Sequence, residues 1–225
     1  LHSFPTRRSS DLKDLKEENM RLADYPKLTV IMRGYTFDQA DAILQAMQEF
    51  DHQFAVEMTM NTKGALENIH ELNQRYGDTT YIGAGTVRTL EQAQACYEAG
   101  AKFLLGPHMF TKEMLSYANK KGLLAVPAAM TPSEVDRMFK EGADIVKVFP
   151  AAVVTPRFFK DIQAPLGKLP LMGVGGISKE NAKEFFEQGA SYLGLGSGMF
   201  NKQDIEELNV KNLARSMKEL IEVIK

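Results

Sequence analysis

Glycines punctuate this chain at near-even intervals, and that spacing restricts the fold more than any other feature. Gly77, Gly100, Gly122, Gly142, Gly167 and Gly189 stand about 20–25 residues apart. Four of them close a segment of helical character: EQAQACYEAG, EMLSYANKKG, PSEVDRMFKEG and KENAKEFFEQG. Glycine directly after a helix is the expected stop, because it takes positive φ without a Cβ penalty. A short apolar run follows each stop, in KFLLG, LLAVP, DIVKVFP and SYLGLG. Runs without polar alternation read as strands covered on both faces, the habit of parallel sheets. The earlier part obeys the same rule. LTVIMR (28–33), FAVEMTM (54–60) and TYIGAGTV (80–87) read as strands. Between them, 37–50 and 64–76 read as helices, the first with Phe37, Ala40, Ile43, Leu44, Met47 and Phe50 on one face.

The count is eight strands, near 28–33, 54–59, 80–84, 102–105, 123–126, 144–148, 170–174 and 191–195, each able to be followed by a helix. Eight uniform βα units predict an α/β fold, a single-domain (β/α)8 TIM barrel. An open doubly wound sheet shows the same alternation, but the number and regularity of the units favour the barrel. The stretch 203–224 reads as one amphipathic helix that closes the barrel or meets another copy. Residues 1–12, LHSFPTRRSSDL, do not share the pattern and read as a non-native or disordered leader. The absence of an initiating Met fits a damaged or partial N-terminus. The barrel domain is then 13–225, with 13–22 a lead-in helix.

Composition narrows the function. Lys and Arg number 27 against 29 Asp and Glu, a formal net charge of -2. A general polyanion binder should be basic, so nucleic acid is not expected as a partner. The single cysteine, Cys96, rules out an internal disulfide framework and a cysteine-rich zinc site, and reads as packing. His2, His52 and His70 show no metal spacing, and His108 reads as a solvated loop residue. The methionines follow the apolar pattern as core fillers. No apolar run approaches the roughly 18 residues of a membrane span, and no secretory signal is visible. A cytoplasmic protein acting on a small molecule is the expectation, without membrane or nucleic acid.

In a barrel, chemistry gathers at the C-terminal ends of the strands. Those positions hold Arg33 and Gly34, Glu57 with Thr59 and Asn61, GAGT (83–86), Gly106-Pro107-His108, Val126-Pro127, Lys147 with Phe149-Pro150, GVGGIS (173–178) and GLGSGMF (194–200). Lys147 sits in the apolar run DIVKVFP, where desolvation would disfavour its ammonium form and leave a nucleophilic amine. A lysine there could also snorkel to the rim or pair with a carboxylate. Glu57, in AVEMTM, is either its ion-pair partner or a proton carrier with a raised pKa. GVGGIS and GLGS, on the last two strands, can cradle phosphate with main-chain N–H groups. Ser178 is a candidate N-cap for the helix that follows, and GLGS could open a short helix.

These motifs together resemble the pyruvate-dependent class I aldolases of the KDPG/KHG type. The resemblance runs from about Leu28 to Phe200 through VEMTMNT (56–62), IGAGTV (82–87), VKVFPA (146–151), GVGGIS (173–178) and GLGS (194–197). It implies that Lys147 forms a Schiff base with the substrate ketone and that Glu57 shuttles protons. It implies that Thr86, Arg33 and Asn61 hold the pyruvate carboxylate. Gly175, Gly176, Gly196 and Ser197 fall where the family binds the distal phosphate. The protonated imine is itself the electron sink, so neither metal nor cofactor is expected. The resemblance further implies a homotrimer. Asn61 stands where the gluconate-type motif has arginine, and Met-Asn-Thr with Arg33-Gly34 is more similar to the galactonate branch. Ala128 and Ala129 replace a usual glycine-containing turn, and AVVTP (152–156) lacks the small polar residues often found there. The expected reaction is reversible cleavage of a 2-keto-3-deoxy-6-phospho sugar acid to pyruvate and glyceraldehyde 3-phosphate. The alternatives are cleavage of 4-hydroxy-2-oxoglutarate to pyruvate and glyoxylate, or a non-catalytic barrel that binds a phosphorylated metabolite. An epimerase would need a second strand-end carboxylate beside Glu57, and the sequence offers none.

Overall fold

The computed structural model describes residues 22–196 and 198–225. The leader expected over 1–12, and the lead-in helix apart from Leu22, lie outside the described residues. Parallel strands alternate with helices in the order β1 (Leu28–Met32), α1 (Phe37–Met47), β2 (Phe54–Thr59), α2 (Ala65–Tyr76), β3 (Tyr81–Gly85), α3 (Leu90–Glu98), β4 (Phe103–Leu105), α4 (Lys112–Lys121), β5 (Leu124–Val126), β6 (Ala128–Ala129), α5 (Pro132–Lys140), β7 (Val146–Val148), α6 (Ala151–Val154), α7 (Arg157–Leu166), β8 (Leu171–Val174), α8 (Ala182–Glu187), β9 (Tyr192–Leu195), α9 (Lys202–Glu206) and α10 (Val210–Ile224). The glycine stops are as expected: Gly100, Gly122, Gly142 and Gly189 hold φ of +93°, +71°, +105° and +98°.

The sheet order is β5-β4-β3-β2-β1-β9-β8-β7-β6. Its two outer members are consecutive in the chain, joined by Pro127, so the sheet returns on itself as a barrel. The eight expected strands are all present, the fifth in two pieces. Pro127 has no N–H to give the ladder. Its carbonyl still accepts from Lys147 N at 2.8 Å, and Ala125 O accepts from Asp144 N at 3.1 Å. Asp144 is better placed as a clasp than as a strand residue: its carboxylate accepts from Ala125 N at 2.7 Å. That is why β7 starts later than the periodicity predicts.

Two apolar shells hold the barrel. One lies between strands and helices and includes Val30, Met32, Val56, Met58, Ile82 and Leu193. The other fills the interior with Ile31, Ala55, Phe103, Leu124, Ile145 and Met172. At the N-terminal end, Tyr25 plugs the barrel edge-on against Tyr81, Phe103 and Tyr192, with centroids 5.9, 5.2 and 5.7 Å away. Its hydroxyl is satisfied by Thr29 Oγ1 at 2.9 Å. α10 packs on α1 and α8 and covers the β1–β9 side.

Three local expectations are corrected. The helix expected over 203–224 is two helices, because Leu208 takes φ +54° and Asn209 starts a new one by accepting from Asn212 N. Ser178 is not the N-cap of α8; Asn181 holds that position. The Asn181 side chain instead folds the turn back, accepting from Ser178 N at 2.9 Å and donating to Gly176 O at 2.8 Å. After the β9 glycine loop the next helix among the described residues, α9, starts at Lys202, capped by Asn201.

The interior packing has a direct test. A Cβ on Gly83 would lie 2.6 Å from the Phe103 ring. Gly83→Ala is expected to lower stability by about 1–3 kcal/mol, the usual cost of overpacking a core. Urea unfolding reads this directly, and adding Phe103→Leu should recover part of the loss.

Candidate active site

The strand pairing decides where the ionisable residues point. Glu57 lies opposite Ile31 on β1 and Gly83 on β3. Because strand side chains alternate, Glu57 shares the inward face with Ala55 and Thr59. Lys147 pairs with Ala128 and Met172 and shares its face with interior Ile145. Both therefore enter the barrel interior near its C-terminal end. Glu57 is 2% exposed and Lys147 5%. The lysine does not snorkel to the rim.

Room for the carboxylate comes from a neighbouring strand. A Cβ on Gly85 would fall 1.4 Å from Glu57 Oε1, so the carboxylate occupies the space a side chain would need. Glu57 Oε2 is buried without a hydrogen-bond partner among the described residues. No direct ion pair joins Glu57 and Lys147 among the described residues. Burial nevertheless dominates both: it raises the Glu57 pKa, against the opposing pull of Lys147 and Arg33. It lowers the Lys147 pKa, with Glu57 acting in the other direction and Arg33 adding to the lowering. Both shifts favour the uncharged forms, an amine and a carboxylic acid. Lys147 Nζ stands 5.0 Å from the centroid of the Phe149 ring.

Phe149 links this pair to a cavity of about 650 Å³. Arg33, Tyr35, Val174, Gly175, Gly176 and Gly196 are among its walls. Gly175 and Gly176 hold φ of +94° and +76°, a region that side chains rarely adopt. A Cβ on Gly176 would also come within 2.4 Å of Ala152 Cβ. At Gly196 and Gly198 the main chain faces open space, and a Cβ at either would meet nothing within 4 Å. Glycine at these four positions lets bare backbone form the wall.

The expected site residues thus separate. Lys147, Glu57 and Arg33 form one electrostatic group, and Arg33, Gly175, Gly176 and Gly196 line one cavity. Thr86 follows β3, half-buried, at φ +57°, a strained value for a β-branched residue. Asn61 is exposed and is not part of the cavity wall. Ser197 lies outside the described residues. His108 is exposed, with Nδ1 2.7 Å from Met109 O. Cys96 is buried with Sγ 3.3 Å from Met60 Sδ, and burial lifts its thiol pKa to about 12, so packing is its role. Sequence reading placed Thr59 at a strand end but missed that it and Thr62 hold the Arg33 turn. Thr62 Oγ1 accepts from Gly34 N at 2.8 Å and lies 3.0 Å from Thr59 Oγ1. Their only signal was two threonines three residues apart beyond Glu57. Tyr35, the aromatic residue of the cavity wall on the β1 side, was also missed.

No group of three or more His, Cys, Asp or Glu among the described residues is arranged to hold a metal. No helix among them is long and apolar enough to cross a membrane.

Comparison with known proteins agrees with this fold. A family model described as "Aldolase: KDPG and KHG aldolase" matches residues 22–216. The chain is 30% identical over 200 residues to the 2-dehydro-3-deoxy-6-phosphogalactonate aldolase of Escherichia coli (strain K12), covering 88% of this chain and 96% of that protein. It is 30% identical over 151 residues to the 2-dehydro-3-deoxy-phosphogluconate aldolase of Treponema pallidum (strain Nichols), covering 67% and 71%. Among solved structures it is similar to one described as "Native KDPGal structure", with a TM-score of 0.77 and 30% identity over 88% of this chain and 95% of that one. The barrel, its buried lysine and the extent of these matches place the chain in the KDPG/KHG aldolase family of pyruvate-dependent Schiff-base lyases.

Proposed function

We propose that the protein cleaves a 2-keto-3-deoxy-6-phospho sugar acid to pyruvate and glyceraldehyde 3-phosphate, with Lys147 as the Schiff-base residue. The observation that carries this reading is a desolvated lysine sharing the barrel interior with a desolvated glutamate, and linked through the Phe149 ring to a glycine-walled cavity. The neutral amine of Lys147 attacks the C2 ketone, and loss of water from the carbinolamine leaves a protonated imine. Glu57 supplies the proton for that loss. Its carboxylate then takes the C4 hydroxyl proton as the C3–C4 bond breaks. The bonding pair moves into the imine to form an enamine, and the aldehyde departs. Reprotonation at C3 and hydrolysis of the imine release pyruvate and restore the amine.

Thr86 and Arg33 are assigned to the pyruvate carboxylate, and Gly175, Gly176 and Gly196 to the distal phosphate. Exposed Asn61 is left without a part in this assignment. The galactonate epimer is the first substrate to test. The Escherichia coli relative named for it aligns over more of its length than the Treponema pallidum relative named for the gluconate epimer. A homotrimer in the cytoplasm completes the proposal, and light scattering would read the copy number.

Four measurements test it. Borohydride reduction in the presence of pyruvate should leave a pyruvyl adduct that peptide mapping finds on Lys147. Lys147→Ala should give neither adduct nor turnover while unfolding like the parent, and normal turnover in that variant would end the Schiff-base assignment. Glu57→Gln should slow turnover by roughly 10²–10⁴-fold, the scale of a positioned acid–base group. A rate within a few-fold of the parent would remove Glu57 from the role. Because burial lowers the Lys147 pKa, the rate of adduct formation should rise with pH along a curve centred below the ordinary 10.5. A midpoint at or above that value would show that its ammonium form is not disfavoured.

A further inference from the structure

Tyr35 stands between two fixed points of the main chain. On one side, Gly34 N donates to buried Thr62 Oγ1 at 2.8 Å, and Thr62 is tied to buried Thr59. On the other, Thr36 caps α1: it accepts from Gln39 N at 3.3 Å, while Thr36 N donates to Gln39 Oε1 at 3.0 Å. This reciprocal capping box fixes where the helix begins. The backbone of Tyr35 is thus held from both ends, and its ring packs against the outer apolar shell.

The hydroxyl of Tyr35, like those of Tyr97 and Tyr117, has no protein partner among the described residues, but of the three only Tyr35 lines the cavity that holds Arg33. Tyr25, Tyr76 and Tyr192 place theirs on Thr29 Oγ1, Asp41 Oδ1 and Leu22 O. The Tyr35 hydroxyl has no protein hydrogen-bond partner among the described residues, although partly buried phenols usually find one. Its side chain lines the same cavity as Arg33 and the bare backbone of Gly175, Gly176, Gly196 and Gly198. Burial raises its pKa, so the phenol keeps its proton and remains a donor. A fixed, unpartnered donor beside a guanidinium suits an anion with several acceptor oxygens.

We propose that Tyr35 determines specificity for the phosphorylated substrate by donating its hydroxyl hydrogen to the distal phosphate. This rests on the phosphosugar-acid reading above and adds a residue to it. The apolar alternative is that the ring only packs against the entrance of α1.

The test compares Tyr35→Phe, which keeps the ring, with the parent. Inorganic phosphate titrated calorimetrically should bind the variant about 10-fold or more weakly, the scale of a lost hydrogen bond to a charged group. KM for the phosphorylated substrate should rise by a similar factor, with kcat nearly unchanged. Borohydride trapping of pyruvate on Lys147 and cleavage of 4-hydroxy-2-oxoglutarate should be unaffected. Parent-like phosphate binding in Tyr35→Phe, with loss only in Tyr35→Ala, would overturn the proposal in favour of packing. Absence of phosphate binding by the parent would overturn it as well. If pyruvate trapping fails in the parent while phosphate binding still depends on the hydroxyl, the aldolase chemistry falls and the role of Tyr35 in anion binding stands.

Discussion

Burying Lys147 and Glu57 together inside the barrel is the constraint on which the rest of the structure turns. Neither gains a direct ion pair, and one carboxylate oxygen has no partner among the described residues. Desolvated groups of this kind cost stability unless they neutralise. Their linkage to pH follows from the shifts. Between the lowered Lys147 pKa and 10.5, the unfolded chain holds the extra proton, so this residue's contribution to stability rises with pH. Between 4.5 and the raised Glu57 pKa, the folded chain holds it, so that contribution falls as pH rises. The surrounding fold must offset both costs. It does so with two apolar shells and an aromatic plug at the far end.

The site is assembled by absences as much as by side chains. Gly85 vacates the volume that the Glu57 carboxylate fills, and Gly176 allows its loop to approach Ala152. Pro127 interrupts the ladder beside Lys147, yet its carbonyl holds the Lys147 amide in register. On the opposite side, Thr59 and Thr62 fasten the turn that carries Arg33. Lys147 and Glu57 sit on strands, while Arg33 and the cavity glycines Gly175, Gly176 and Gly196 sit just beyond strand ends. That division lets the loops vary without disturbing the lysine.

Much of this was legible in the sequence because it is written in periodicity. Helix stops at glycine, continuous apolar strands and the two ionisable interruptions at Glu57 and Lys147 report burial directly. Side-chain hydrogen bonds report themselves poorly. Nothing in the order of residues 178–181 shows that Asn181 would displace Ser178 from the cap position by bonding back to Gly176. Leu208 at positive φ breaks a helix whose hydrophobic pattern continues across the break, since periodicity senses a face and not a kink. The carboxylate-binding expectation rested on resemblance, and it mixed residues of unlike surroundings: Arg33 on the cavity wall, Thr86 strained at a strand end, Asn61 in solvent. Tyr35 escaped notice because an aromatic residue before a helix looks like packing, and its unpartnered hydroxyl is visible only in three dimensions.

The main chain at Gly196 and Gly198 faces open space. A wall made this way is easily remodelled in evolution. A single codon change at either position would add a Cβ facing the cavity without displacing a described neighbour. The volume of this cavity can therefore drift independently of buried Lys147. Lineages carrying this barrel could reshape the cavity through mutations that unfolding experiments would scarcely register.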